Sequence, residues 1–336
     1  MNKNKKTWFF AVILAVLAVT VTAIVSLSSC GEEASVAEYT LNINSDGVCK
    51  GFETLSGTGD IHLVIPEGVV EIRASAFRDN RRIKTVRLPE GLKGIAEWTF
   101  YGCTELEEIN VPKSVKAIGT NAFGGCTKAT ELKGGVYYID NWVVDHRKGA
   151  LALEVRSGTV GIADIAFKGS CAVSITLPDS LKVIGEKAFS ESEIKEISIP
   201  DGTEFSGSSH FSYCKKLVKC RLPAELTKIP ERCFYACVRL REINFPDNLT
   251  CIGSRAFCGC GLGEEDMWGR YYEGWLIDVS RSYKKDSIEV RKDVVGICDK
   301  LSDDFISSGP RYTFYVYCDT LRFCGKGNII VYCGDE

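Results

Sequence analysis

Apolar residues return along most of this chain with a fixed period. Short runs such as Val86-Arg87-Leu88, Ile109-Asn110-Val111, Ile175-Thr176-Leu177, Ile197-Ser198-Ile199 and Ile243-Asn244-Phe245 alternate apolar with polar and then meet a proline. A period of two predicts a half-buried strand, and proline, which has no backbone N–H, ends its ladder. Pro66, Pro89, Pro112, Pro178, Pro200, Pro223 and Pro246 are separated by 23, 23, 66, 22, 23 and 23 residues, and 66 is three periods of 22. Six residues beyond the prolines stand Ile72, Ile95, Ile118 (with Ala117 beside it), Ile184, Ser206, Ile229 and Ile252. Eleven beyond stand Phe77, Phe100, Phe123, Phe189, Phe211, Phe234 and Phe257, usually after a small residue such as Ala76 or Ala188. Phe167 lies eleven after Arg156, which is one period before Pro178. Cys103, Cys126, Cys214, Cys237 and Cys260 form a further file fourteen beyond.

A unit this short cannot bury its own apolar face, whereas stacked units share a continuous core. The pattern therefore predicts a leucine-rich-repeat solenoid of the α/β class, β-rich, with right-handed coils of about 22–23 residues and short parallel strands. Repeats should fill residues 66–132 and 156–261, with an N-terminal cap at 39–65 and a last repeat and C-terminal cap at 291–336. Two insertions, 133–155 and 262–290, resemble each other. Tyr137-Tyr138-Ile139-Asp140-Asn141-Trp142 matches Tyr271-Tyr272-Glu273-Gly274-Trp275, and both read as β-hairpins.

The motif from Ile109 to Cys126, with proline, Ile-Gly, Ala-Phe and Cys at set distances, resembles the BspA-like leucine-rich-repeat surface proteins of bacteria. The resemblance spans about residues 60 to 305. Asn80 and Ser192 depart from it at the Cys site, and His210 at the small-residue site. It implies surface display and binding of host or microbial macromolecules, and it carries over no catalytic residue.

The N-terminus addresses the compartment. Lys3, Lys5 and Lys6 precede an apolar run that ends Leu27-Ser28-Ser29-Cys30, which resembles a bacterial lipobox. Residues 1–29 would be a lipoprotein signal peptide, Cys30 the lipidated residue, and 30–38 a short tether. An uncleaved anchor is the alternative, and both place Gly31 onward outside the cytoplasm. The expected location is the cell envelope, membrane-anchored, at the outer-membrane surface.

Composition then narrows the chemistry. With 45% hydrophobic and 25% charged residues the chain is an ordinary globular one, which excludes disorder. A net charge of −3 argues against nucleic acid as a partner. Sixteen cysteines and three histidines complete no metal-ligand spacing, and no nucleophile-and-base pattern is present. The reading is a non-enzymatic protein without cofactor or metal, whose partners are the membrane, through the lipid, and an unknown protein or glycan. A structural scaffold in an envelope complex is the second possibility. The Cys file should be buried thiols; Cys318, Cys324 and Cys333 are possible pairs. Candidate ligand contacts are Trp142, Trp275, Tyr138 and Tyr272 of the hairpins, and Arg81 and Arg82 of the basic first repeats. The bland alternative for the hairpin aromatics is that they merely cover the stack. If exposed, Trp142 and Trp275 would lie on the order of 30 Å apart at about 4.8 Å per coil.

Overall fold

The computed structural model describes residues 20–23, 37–265, 269–279, 287–289, 294–298, 313–316, 322–323 and 330–333. Cys30, Cys318 and Cys324 lie outside the described residues, and Cys333 ends the strand Ile330–Cys333. The chain divides into two compact units, residues 1–131 with 138–142, and residues 132–137 with 143–336. Both are built from stacked coils.

Each coil contributes two short strands. Those before the prolines form parallel ladders: Ile61–Val64, Ile83–Arg87 and Glu108–Ile109 in the first unit. In the second they are Ala152–Glu154, Ser174–Thr176, Glu196–Ser198, Lys219–Arg221 and Glu242–Ile243. The mid-coil strands, such as Glu71–Ile72, Gly94–Ile95 and Ala117–Ile118, pair in the same sense. Their isoleucines point inward, fully buried.

The α/β label is corrected, since there is no helix among the described residues. The third side of each coil is a turn run around the Phe. Ser75, Phe77 and Asp79 donate their N–H groups to the next coil, to Glu97, Thr99 and Tyr101 carbonyls, at 3.0, 2.9 and 2.6 Å. The residues between them, Ala76, Arg78 and Asn80, donate three residues back, within their own coil. Odd and even donors are thus satisfied in different directions, which meets the need to pair every buried backbone group. The geometry requires a left-handed residue nine and thirteen beyond each proline. Ser75 and Asp79 (φ 59° and 56°) occur in one coil, Lys187 and Glu191 (53° and 62°) in another.

The Phe rings stack in one file per unit. Phe77, Phe100 and Phe123 have centroids 5.4 and 5.6 Å apart. Phe167, Phe189, Phe211, Phe234 and Phe257 follow at 5.1–5.4 Å, with ring planes within about 11° of parallel. The glycine of the Ile-Gly pair marks the closest approach of two coils. A Cβ on Gly119, Gly185 or Gly253 would lie 2.5–2.6 Å from the backbone nitrogen of Glu97, Asp164 or Glu231.

One seam breaks the regularity. The mid-coil sheet stops at Glu204–Phe205 and a new one starts at Lys228–Ile229. Pro230 stands where Ala96, Gly119, Gly185 and Gly253 donate to the preceding coil, so this rung has no donor. Phe205 takes the isoleucine site one residue early, and Gly207 (φ 79°) helps absorb the extra residue that follows. A cleft of about 690 Å³ opens there.

Candidate functional site

The hairpins open runs of coils rather than standing out from them. The second strand of each takes a mid-coil position: Trp275–Val279 pairs in parallel with Gly296–Ile297, and Ala163 N–H donates to Val143 O at 2.8 Å. The N-terminal hairpin, Glu38–Ile43 with Val48–Ser56, does the same, and Arg73 N–H donates to Cys49 O at 2.9 Å. The same device thus occurs three times. Thr20–Ala23, inside the expected leader, adds an antiparallel edge strand to the N-terminal hairpin, Thr20 facing Asn42 and Ala23 facing Tyr39.

This placement corrects the aromatic candidates. Trp142 is 1% exposed, Trp275 3% and Tyr138 0%, so none offers a ring face to a ligand. A Cβ on Gly296 would lie 2.5 Å from the Trp275 ring, so glycine is there to admit the indole. Burying such rings yields more than leaving them in water, and the strand register turns them inward. Tyr272 is half-buried; its hydroxyl donates to Ile243 O at 2.8 Å and its ring packs edge-on against Phe245. At the turns of the two later hairpins an acid at positive φ accepts a backbone N–H at the end of a strand ladder. Asp140 takes Val111 at 3.0 Å, and Glu273 takes Phe245 at 3.2 Å. Trp142, Trp275 and Tyr138 thus belong to the core of the stack.

The arginine candidates fare differently. Arg81 is exposed. Arg82 is half-buried, with Nε donating to Gly59 O at 2.9 Å and Nη2 buried without an acceptor.

Sequence reasoning missed a polar groove on the surface. The outward face of the strands from Ser174 to Arg221 forms a groove of about 840 Å³. In register across it run Ser174, Glu196, Lys219 and Glu242, and beside them Ser198 and Arg221. Its charges are partly tied down. Arg221 grips Asp201 at 2.9 and 3.0 Å and donates to Ile199 O at 3.2 Å, while Lys219 pairs with Glu242. The Ala224 N–H and Arg221 hold the Asp201 carboxyl below its ordinary range. Among the described residues, Ser174, Thr176, Ser198 and Asp179 have no side-chain partner and face the groove. The signal was in the triplets Ser-Ile-Thr, Glu-Ile-Ser and Lys-Cys-Arg, where polar residues flank each buried centre.

His62 Nδ1 meets Thr85 Oγ1 at 3.0 Å on a strand face. His146 and His210 are buried, bonded to the Ala166 and Ser206 carbonyls at 2.8 and 2.9 Å. Burial pushes both imidazoles down, His210 to about 4. Among the described residues, no nucleophile is hydrogen-bonded to either.

Six copies of the BspA type leucine-rich repeat region match residues 55–145 and 160–269, more than half of the chain. The chain belongs to this family of leucine-rich-repeat proteins. No curated protein matches it. Solved structures resemble it distantly. A leucine-rich repeat protein from Bacteroides ovatus is 22% identical, with a TM-score of 0.32, over 88% of this chain and 67% of that one. A leucine-rich cell surface protein from Faecalibacterium prausnitzii is 20% identical, with a TM-score of 0.32, over 90% and 96%. The pneumococcal vaccine antigen PcpA is 12% identical, with a TM-score of 0.28, over 88% and 97%.

Proposed function

We propose that this chain is a lipid-anchored surface protein whose coils act as a non-enzymatic binding or adhesion module for a macromolecule. The observation that carries this reading is the groove over Ser174, Thr176 and Ser198. A shallow, registered, polar surface with open hydroxyls suits an extended ligand that crosses several coils, where affinity accumulates from repeated small contacts. The family relationship supports it, and the Leu27-Ser28-Ser29-Cys30 run supports anchoring through Cys30 at the outer face of the envelope.

The test compares the full chain with a Thr176→Arg, Ser198→Arg variant for retention of intact cells and matrix material. Loss of retention with an unchanged melting temperature supports the groove. Equal retention rejects it, and recovery of both proteins only with envelope components of the producing cell favours the scaffold reading. For the anchor, Cys30→Ala should release the chain from the detergent phase and remove a lipid mass.

A further inference from the structure

We propose that the corner of the first coil formed by Arg78, Arg81 and Arg82 is a binding site for an anionic glycan, a polysaccharide carrying carboxylate or sulfate groups. The corner belongs to the first unit and the groove to the second. Either site can therefore fail without the other.

The same corner in the following coils reads Tyr101-Gly102-Cys103-Thr104-Glu105 and Gly124-Gly125-Cys126-Thr127-Lys128, without arginine. Here Asn80 replaces the buried Cys, and its Oδ1 accepts the Arg82 N–H at 3.0 Å, which shapes the loop that carries the trio. Arg78 is held in place by the next coil. Its guanidinium carbon lies 5.2 Å from the ring centres of both Trp98 and Tyr101, which themselves meet edge-on at 4.9 Å. Tyr101 in turn rests on Gly124, where a Cβ would come within 2.7 Å of the ring. Aromatic support of this kind fixes the cation before a ligand arrives, so less rotamer freedom is lost on binding. Asp79 occupies Nε at 3.2 Å and leaves the terminal nitrogens without a partner among the described residues. Arg82 Nη2 is buried without an acceptor, an unmet donor beside the corner.

The charge balance points the same way. Several cations elsewhere in the coils are matched to acids, Lys84 and Lys128 to Glu105, Lys168 to Glu191, Lys187 to Glu186 and Arg221 to Asp201, while others such as Lys113, Lys182 and Lys228 stand singly rather than in a cluster. Arg73, Arg81 and Arg87 are exposed and have no carboxylate partner among the described residues. Arginine's planar fork matches carboxylate and sulfate oxygens in pairs. A compact trio suits the spaced charges of a glycan, whereas nucleic acid needs a long basic face that a chain of net charge −3 does not supply. A membrane surface fits less well, because no large hydrophobic side chain is exposed between residues 73 and 87.

The experiment uses the detergent-solubilised full chain on immobilised heparin and polygalacturonate, with neutral dextran and phosphatidylglycerol vesicles alongside. Wild type should bind one or both charged glycans, weaken with salt, and ignore dextran. Arg78→Gln with Arg81→Gln should weaken binding at least about tenfold with an unchanged melting temperature. Arg78→Lys should give a partial loss, because the charge stays and the stacked fork goes. Lys168→Gln with Lys187→Gln, an equal charge change at paired lysines, should alter binding by less than about twofold. The site is rejected if wild type binds neither glycan, if the vesicles bind more tightly than both, or if the lysine pair weakens binding as much as the arginine pair.

Discussion

The thiol of Cys214 lies 3.0 Å from the carbonyl oxygen of Phe189, one coil back, and donates its proton there. The contact recurs from Cys103 to Phe77, Cys126 to Phe100 and Cys237 to Phe211, at 3.0–3.2 Å. The Cys file and the Phe file are therefore one device, in which each sulfur ties its turn run to the ring-bearing residue of the coil before. Burial pushes these thiols up, Cys103 and Cys126 to about 12 and Cys214 to about 11, so they are not nucleophiles at neutral pH.

Thiol labelling reads this directly. Native protein treated with iodoacetamide should label Cys171, which is exposed, and leave Cys103, Cys126, Cys214 and Cys237 unmodified until denaturant is added. Peptide mass mapping gives the answer. Modification of Cys214 in the folded chain at a rate near that of Cys171 would contradict its place in the core. Cys214→Ser keeps a donor, as Ser192 does at the same position one coil earlier, and should cost less than Cys214→Ala. The alanine should lose roughly 1 kcal/mol for the bond alone.

Trp142 and Trp275 should behave as core residues. Each is buried at the start of a hairpin's second strand. Replacement by alanine removes a large side chain and leaves a cavity, at a cost of about 3–5 kcal/mol. Denaturant unfolding of Trp275→Ala measures it. A change under about 1 kcal/mol would mean that the indole packs far more loosely than its burial implies.

The repeat was legible because stacking imposes one residue type on one position. Phe189 touches Phe167 and Phe211 whatever the surface does, so the files stand out in the sequence. The turn run was not legible, because its left-handed positions are filled by residues as different as Trp98, Ile165 and Arg232. Backbone hydrogen bonds select that conformation, and the side chains do not announce it. The third hairpin was hidden because Val48 and Cys49 stand where Trp275 and Leu276 stand in the C-terminal copy. The groove was hidden for the opposite reason. Its polar residues have no core to satisfy and therefore no constraint of type.

Gly185 tests the closest approach between coils. Its φ is unremarkable, and the restriction is steric: a Cβ would lie 2.6 Å from Asp164 N and 2.8 Å from Ala163 C. Backbone cannot yield as a flexible side chain does. Gly185→Val should destabilise by at least about 1–3 kcal/mol, read as a fall in melting temperature. Gly91, with open space around it and no positive φ, is the control for crowding. An equal loss for Gly185→Val and Gly91→Val would show that crowding is not the cause.

His210 makes stability depend on pH in a window the carboxylates do not share. Burial lowers its pKa from 6.5 to about 4, against smaller opposing effects of the Ser206 carbonyl, Glu186 and the Ile184 carbonyl. Above pH 6.5 the ring is neutral in both the folded and the unfolded chain, and the full stability is present. As pH falls from 6.5 towards 4 the unfolded chain takes up a proton that the folded chain refuses, so stability drops, by up to roughly 3 kcal/mol. His146 is lowered for the same first reason and adds in the same direction. Glu105, held down to about 2 by Lys128 and Lys84, loses its contribution only below its ordinary 4.5. Unfolding free energies measured in denaturant at about pH 7 and about pH 5 should therefore differ in the wild type. The difference should shrink in His210→Ala, which installs the residue that Ala188 and Ala256 supply at this position in other coils. An unchanged difference in that variant would place the pH dependence elsewhere in the chain.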